Sequence, residues 1–121
     1  MYNTNITREE RTTRTIISSQ HYINPEIVAE KIKQLTAAGA KSIIVPCSYV
    51  GIIDGVEYAM QTDKHHTLSA ARELDLPVEY KITDDPEGLT GMDLLEARYN
   101  DGDYYDVERS NPYYDEIVTV W

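Results

Sequence analysis

Apolar positions follow two rhythms along this chain, and the change from one to the other marks its elements. Ile16-Ile17 begins a short strand after a polar, charged opening. Asn24-Pro25-Glu26 then starts a helix: Asn caps it, Pro takes the first helical position where no N–H is needed, and an acid follows in the first turn. Val28, Ile32 and Leu35 recur at spacings of four and three, so they share one face, and Gly39 closes the helix. Ser42-Ile43-Ile44-Val45 is β-branched and reads as a buried strand. Residues 52–60 read as a hairpin about Asp54-Gly55, a pair suited to the positive φ values of a two-residue turn. Val56, Tyr58 and Met60 alternate with Glu57, Ala59 and Gln61, which predicts one buried face.

The helical rhythm returns after Thr62. Asp63 is the expected N-cap of a helix reaching Leu74, with Leu68, Ala71 and Leu74 turned to the core. The small side chains of Ala70 and Ala71 permit a close approach to a sheet. Pro77 ends the connection, and Val78 to Ile82 form another strand. Residues 83–88 are a loop, Thr90 opens a helix to Tyr99, residues 100–112 are acidic, tyrosine-rich and turn-like, and Ile117 to Trp121 form a final strand. The pattern predicts an α/β (α+β) fold: a small mixed sheet packed with about three helices. Residues 1–15 are expected to be a flexible arm and 16–121 a single domain, with an acidic extension over 84–121.

Charge narrows the function classes. The 121 residues carry 21 acids against 11 Lys and Arg, a formal net charge of −10. Binding to a nucleic-acid backbone rests on Lys and Arg, so direct DNA binding is not expected. The acid concentrates after Asp84, and such a surface suits docking on a basic protein partner. No apolar stretch approaches the roughly twenty residues needed to span a bilayer, and the N-terminus lacks a signal peptide's apolar centre. No membrane association and a cytoplasmic location are the expectations. Cys47, the single cysteine, has no disulfide partner within the chain and is expected to pack as a small hydrophobe. Phe is absent and Tyr occurs ten times; Tyr104, Tyr105, Tyr113 and Tyr114 either form a binding surface or fill the core.

The chemistry gathers at Asp63-Lys64-His65-His66-Thr67. A helix start offers unpaired N–H groups and partial positive charge, hence a place for phosphate, to which Lys64 and two imidazoles add donors. His65 or His66 would act as acid or base, since an ordinary imidazole titrates near neutrality. Adjacent helical residues point about 100° apart and no third ligand stands at a suitable spacing, so no metal site is expected. Asp101-Gly102-Asp103-Tyr104-Tyr105-Asp106 lacks the spaced ligands and closing Glu of a calcium loop and reads as a solvated acidic turn.

The run from Asp63 to Thr67, followed by Ala70-Ala71-Arg72-Glu73-Leu74-Asp75-Leu76-Pro77-Val78, resembles the ParB/sulfiredoxin-like superfamily over roughly residues 16–82. Relatives often read Asp-Gly-His-His-Arg, an alanine-rich helix, then Leu-Gly-hydrophobic-Pro-Val. Here Lys64 stands for the first Gly, Thr67 for the Arg and Asp75 for the second Gly. The resemblance implies that Lys64, His65, His66 and Thr67 face a nucleotide's phosphates. It implies catalytic roles for Asp63, His65 and His66 in a nucleotide hydrolase, phosphotransferase or nuclease, with a nucleoside triphosphate and Mg2+ as the ligand. Thr67 offers one hydroxyl where Arg offers a charged fork. Kinase-like relatives place a Glu before the first helix, where this chain has Gln20-His21. Sulfiredoxins place their cysteine at His65, and Cys47 lies elsewhere, so sulfinic-acid repair is not expected. Chromosome-partition proteins follow this domain with a helix-turn-helix and a dimerisation domain; the roughly forty residues after Ile82 in this sequence are few and acidic, so a partition protein is not expected. The competing function is a non-catalytic acidic adaptor or inhibitor, of the kind phages and plasmids direct at host systems.

Overall fold

The Asp54-Gly55 turn organises the sheet. Both residues have positive φ, 51° and 82°, as a two-residue hairpin turn requires. They join β2 (Ile43–Ile53) to β3 (Val56–Gln61) as an antiparallel pair. The computed structural model describes residues 14–20, 23–99, 103–110 and 117–120. Within them lie three further strands, β1 (Thr15–Ser18), β4 (Val78–Thr83) and β5 (Tyr105–Asp106), and three helices, α1 (Pro25–Ala37), α2 (His65–Glu73) and α3 (Gly91–Arg98). The five strands make one mixed sheet in the order β4-β2-β3-β1-β5, with β1 parallel to β3 and β4 parallel to β2. This is the small α/β fold that the apolar pattern predicts.

β2 is one strand where the sequence reads two pieces. Pro46 is tolerated because its carbonyl accepts from the Thr62 N–H at 3.1 Å, so its missing N–H falls just past the end of β3. A bulge between Tyr49 and Gly51 then shifts the register, and Val50 is buried on the opposite face from Cys47. Gly51 is at φ 114° and lies against Thr90 and Gly91, a backbone state and a close approach that suit glycine.

The sheet is covered on both faces. On one, Val45, Cys47 and Ala59 pack with Leu68 and Ala71 of α2. On the other, Ile17, Val50 and Met60 pack with Leu94 and Leu95 of α3. Truncating either leucine to Ala, both at most 1% exposed, would cost about 2–5 kcal/mol by transfer and cavity terms. α1 lies on α2 through Val28 and Ala70. This sandwiching corrects the one-faced reading of β3: Tyr58, Ala59, Met60 and Gln61 are all buried. It also corrects Ile44, which is 49% exposed because no described element covers that end of the second face.

Asn24 caps α1 as predicted, its Oδ1 accepting from the Glu26 N–H at 2.9 Å. Gly39, at φ 64°, ends the helix, with Gly39 and Ala40 N–H groups returning to Thr36 and Leu35. α2 ends in the same way: Asp75 is at φ 58°, and Asp75 and Leu76 donate to Arg72 and Ala71. α3 has Thr90 at its N-cap position, but the hydroxyl makes no capping bond.

The acidic end is more structured than its composition suggests. Tyr105 and Asp106 pair with β1, and Tyr104, Tyr105 and Val107 are buried. Here tyrosine serves the core of a chain without Phe. Asp106 is also buried, its carboxylate accepting from the Glu108 and Arg109 N–H groups, which corrects the solvated-turn reading at that residue. Asp85 in the preceding loop is buried against Arg98, whose Nε lies 2.9 Å from Oδ1. The expected final strand reduces, among the described residues, to a bridge between Thr119 and Tyr105. Residues 1–13, His21, Asp101, Tyr113, Tyr114 and Trp121 lie outside the described residues.

Candidate functional site

The chain leaves β3 at Gln61 and turns sharply into α2. Gln61 is buried and its Nε2 donates to the Asp63 carbonyl at 3.0 Å, fixing the turn. The Asp63 carboxylate accepts from the Lys64 N–H at 2.7 Å. Asp63 is therefore not the N-cap that the sequence predicts. Lys64 holds that position in the left-handed region, φ 65° and ψ 33°, and no side chain caps the helix. Among the described residues the first-turn N–H groups of α2 thus have no side-chain acceptor, the arrangement that suits a bound anion.

An open cleft of about 340 Å3 lies at this helix start, lined by Lys31, Asp63, Lys64, His65, His66 and Thr67. That volume is at the small end of ligand sites. The structure therefore brings together all five residues singled out in the sequence. It adds Lys31 from α1, which sequence reasoning missed. Lys31 follows Val28 by three positions, on the flank of the face that α1 turns to α2, and an adjacent cation on that flank was the available signal. Two ammonium groups against one carboxylate make this corner locally positive on a chain of net charge −10.

The histidines hold the surrounding elements together. His65 Nε2 lies 2.9 Å from Ser18 Oγ at the end of β1, and the same oxygen accepts from the Gln20 N–H at 3.1 Å. Ser18 is 1% exposed, so this contact is internal. Tyr105 joins the network by donating to the Gln20 carbonyl at 2.7 Å. Burial lowers the His65 pKa, and neighbouring His66 adds to that, against an opposing pull from Asp63. The imidazole is neutral at pH 7. On its inner side His65 borders a cavity of about 10 Å3, about one water in size. His66 Nε2 accepts from the backbone N–H of Asn24 at 3.1 Å. An accepting Nε2 carries no proton, so the neutral ring carries its proton on Nδ1.

Other candidates are disposed of by position. Cys47 is 2% exposed and burial pushes its thiol up to about 12, so it is not a nucleophile. Gln20 is exposed beyond β1, away from a general-base role its amide cannot fill. Glu26 is exposed in the first turn of α1 and does not line the cleft. Arg72 reaches from α2 to the carbonyls of Val107 and Ser110, tying down the C-terminal segment. No cluster of three or more His, Cys, Asp or Glu suited to a metal occurs among the described residues. No described helix is long and apolar enough to cross a membrane. No protein-family model, curated protein or solved structure matches this chain.

Proposed function

We propose that the cleft at the start of α2 binds the phosphates of a nucleotide, and that the chain is a divergent ParB/sulfiredoxin-like domain. The observation that carries this reading is the convergence of Lys31 and Lys64, from two different elements, on the uncapped first turn of α2. Thr67 supplies a hydroxyl where relatives have Arg, and the second lysine compensates the lost charge. The backbone adds support to the resemblance: Lys64 and Asp75, standing where relatives have Gly, are both left-handed, at φ 65° and 58°.

The reading is of binding rather than turnover. His65 Nε2 is committed to Ser18 and His66 Nε2 to Asn24, so neither of these two nitrogens is free to take a proton from a nucleophile. His66 keeps Nδ1–H as a donor. Asp63 supplies one carboxylate, which suits Mg2+ arriving on a phosphate chain and keeping most of its waters.

Titration calorimetry with ATP, CTP, GTP and inorganic phosphate, each with and without Mg2+, tests the proposal. Saturable binding is expected, weakened about tenfold or more, about 1.4 kcal/mol, in Lys31→Ala/Lys64→Ala. Absence of binding, or equal affinity in the double variant, would overturn it.

A further inference from the structure

β4 is an edge of the sheet, paired with β2 alone among the described residues. The Pro77 carbonyl accepts from the Ile43 N–H at 3.0 Å. Residues 77, 79 and 81 therefore turn their backbone groups toward β2. Those of Val78, Tyr80 and Ile82 turn to the free edge, because alternate residues of a strand bond to opposite sides. The side chains alternate in the other direction. Val78, Tyr80 and Ile82 lean on the core and are only half-buried, whereas Glu79 and Lys81 are exposed on the opposite face.

We propose that two copies of this chain join edge to edge, β4 antiparallel to β4, about a twofold axis at Tyr80. In that register the outward backbone groups of Tyr80 meet those of Tyr80 in the second copy, and Val78 meets Ile82. Every unpaired N–H and C=O from Val78 to Ile82 gains a partner, and the half-exposed apolar side chains cover one another. On the other face Glu79 stands opposite Lys81 of the second copy, twice by symmetry. Charges on an edge strand ordinarily discourage pairing. Here they are opposite in sign and flank the axis residue, so the twofold converts them into cross-strand ion pairs. Moving the axis by one residue sets Glu79 against Glu79 or Lys81 against Lys81, which like charges disfavour. Moving it by two leaves half the strand unmatched. The charge pattern thus selects one register and one occupant, a second copy of the chain.

Sedimentation equilibrium of the full chain tests this at an ionic strength near 0.15 M, where the Debye length of about 8 Å screens the overall repulsion. The wild type should show a reversible monomer–dimer equilibrium. Glu79→Lys and Lys81→Glu should each raise the dissociation constant about tenfold or more. The double swap should restore the wild-type value, and an equimolar mixture of the two single variants should form a heterodimer. Both sites are exposed, and circular dichroism will report whether the variants keep their fold. Amide exchange at Val78, Tyr80 and Ile82 should slow as concentration rises. A wild-type monomer at all concentrations, or a dimer indifferent to both single reversals, would overturn the proposal.

Discussion

The Nε2 of His66 accepts a hydrogen bond from the backbone N–H of Asn24, 3.1 Å away, and so pins the start of α2 to the capping residue of α1. The bond holds together the two helices that supply Lys31 and Lys64. Replacing His66 with Ala leaves the Asn24 N–H without this partner. The expected loss is about 1 kcal/mol of stability, measured by urea denaturation, together with faster amide exchange at Asn24. Unchanged stability and exchange would show that the bond is dispensable.

His65 makes stability depend on pH. Burial holds its pKa below the usual histidine value, so on acidification the unfolded chain takes up a proton before the folded chain does. The contribution of the neutral buried ring is fully present above the unfolded pKa of about 6.5 and is lost as pH falls from there toward the folded value. The stability difference between wild type and His65→Gln should therefore shrink as pH is lowered from about 7.5 to about 5.5. Comparing the two proteins cancels the effects of the many carboxylates. A difference that stays constant or widens on acidification would contradict this account.

Lys64 and Asp75 both occupy backbone states in which glycine is at home, φ 65° and 58°. Each substitution to Gly removes left-handed strain, with a gain of up to about 1 kcal/mol, smaller for Asp75 because Asp tolerates this region better. Only Lys64 lines the cleft. Lys64→Gly is thus expected to raise thermal stability and weaken phosphate binding, whereas Asp75→Gly should raise stability and leave binding unchanged. Equal effects of the two on binding would separate Lys64 from the site.

The elements that read clearly in the sequence are those set by local chemistry. Asn24-Pro25-Glu26, Asp54-Gly55 and Gly39 each act within a few residues, and each stands in the structure where local rules put it. Asp63 misled because its carboxylate reaches the Lys64 N–H next door rather than the second or third residue on, so the cap moved by one. The continuity of β2 through Pro46 depends on where β3 ends, which no local window contains. The burial of Tyr104, Tyr105 and Asp106 depends on a pairing with β1 across more than eighty positions. At the site, the cluster from Asp63 to Thr67 is contiguous and was legible as such. Lys31, Ser18 and the Asn24 N–H arrive through tertiary packing, and the last two engage the Nε2 of His65 and of His66.

A nuclear magnetic resonance titration with inorganic phosphate tests the central claim most directly. The chain is followed at constant ionic strength, so that general screening does not contribute. The account predicts saturable shifts that are largest at the backbone amides of His65, His66 and Thr67 and at the side chains of Lys31 and Lys64, the groups around the uncapped start of α2. Shifts that fail to saturate, or that are largest on another part of the chain, would contradict it.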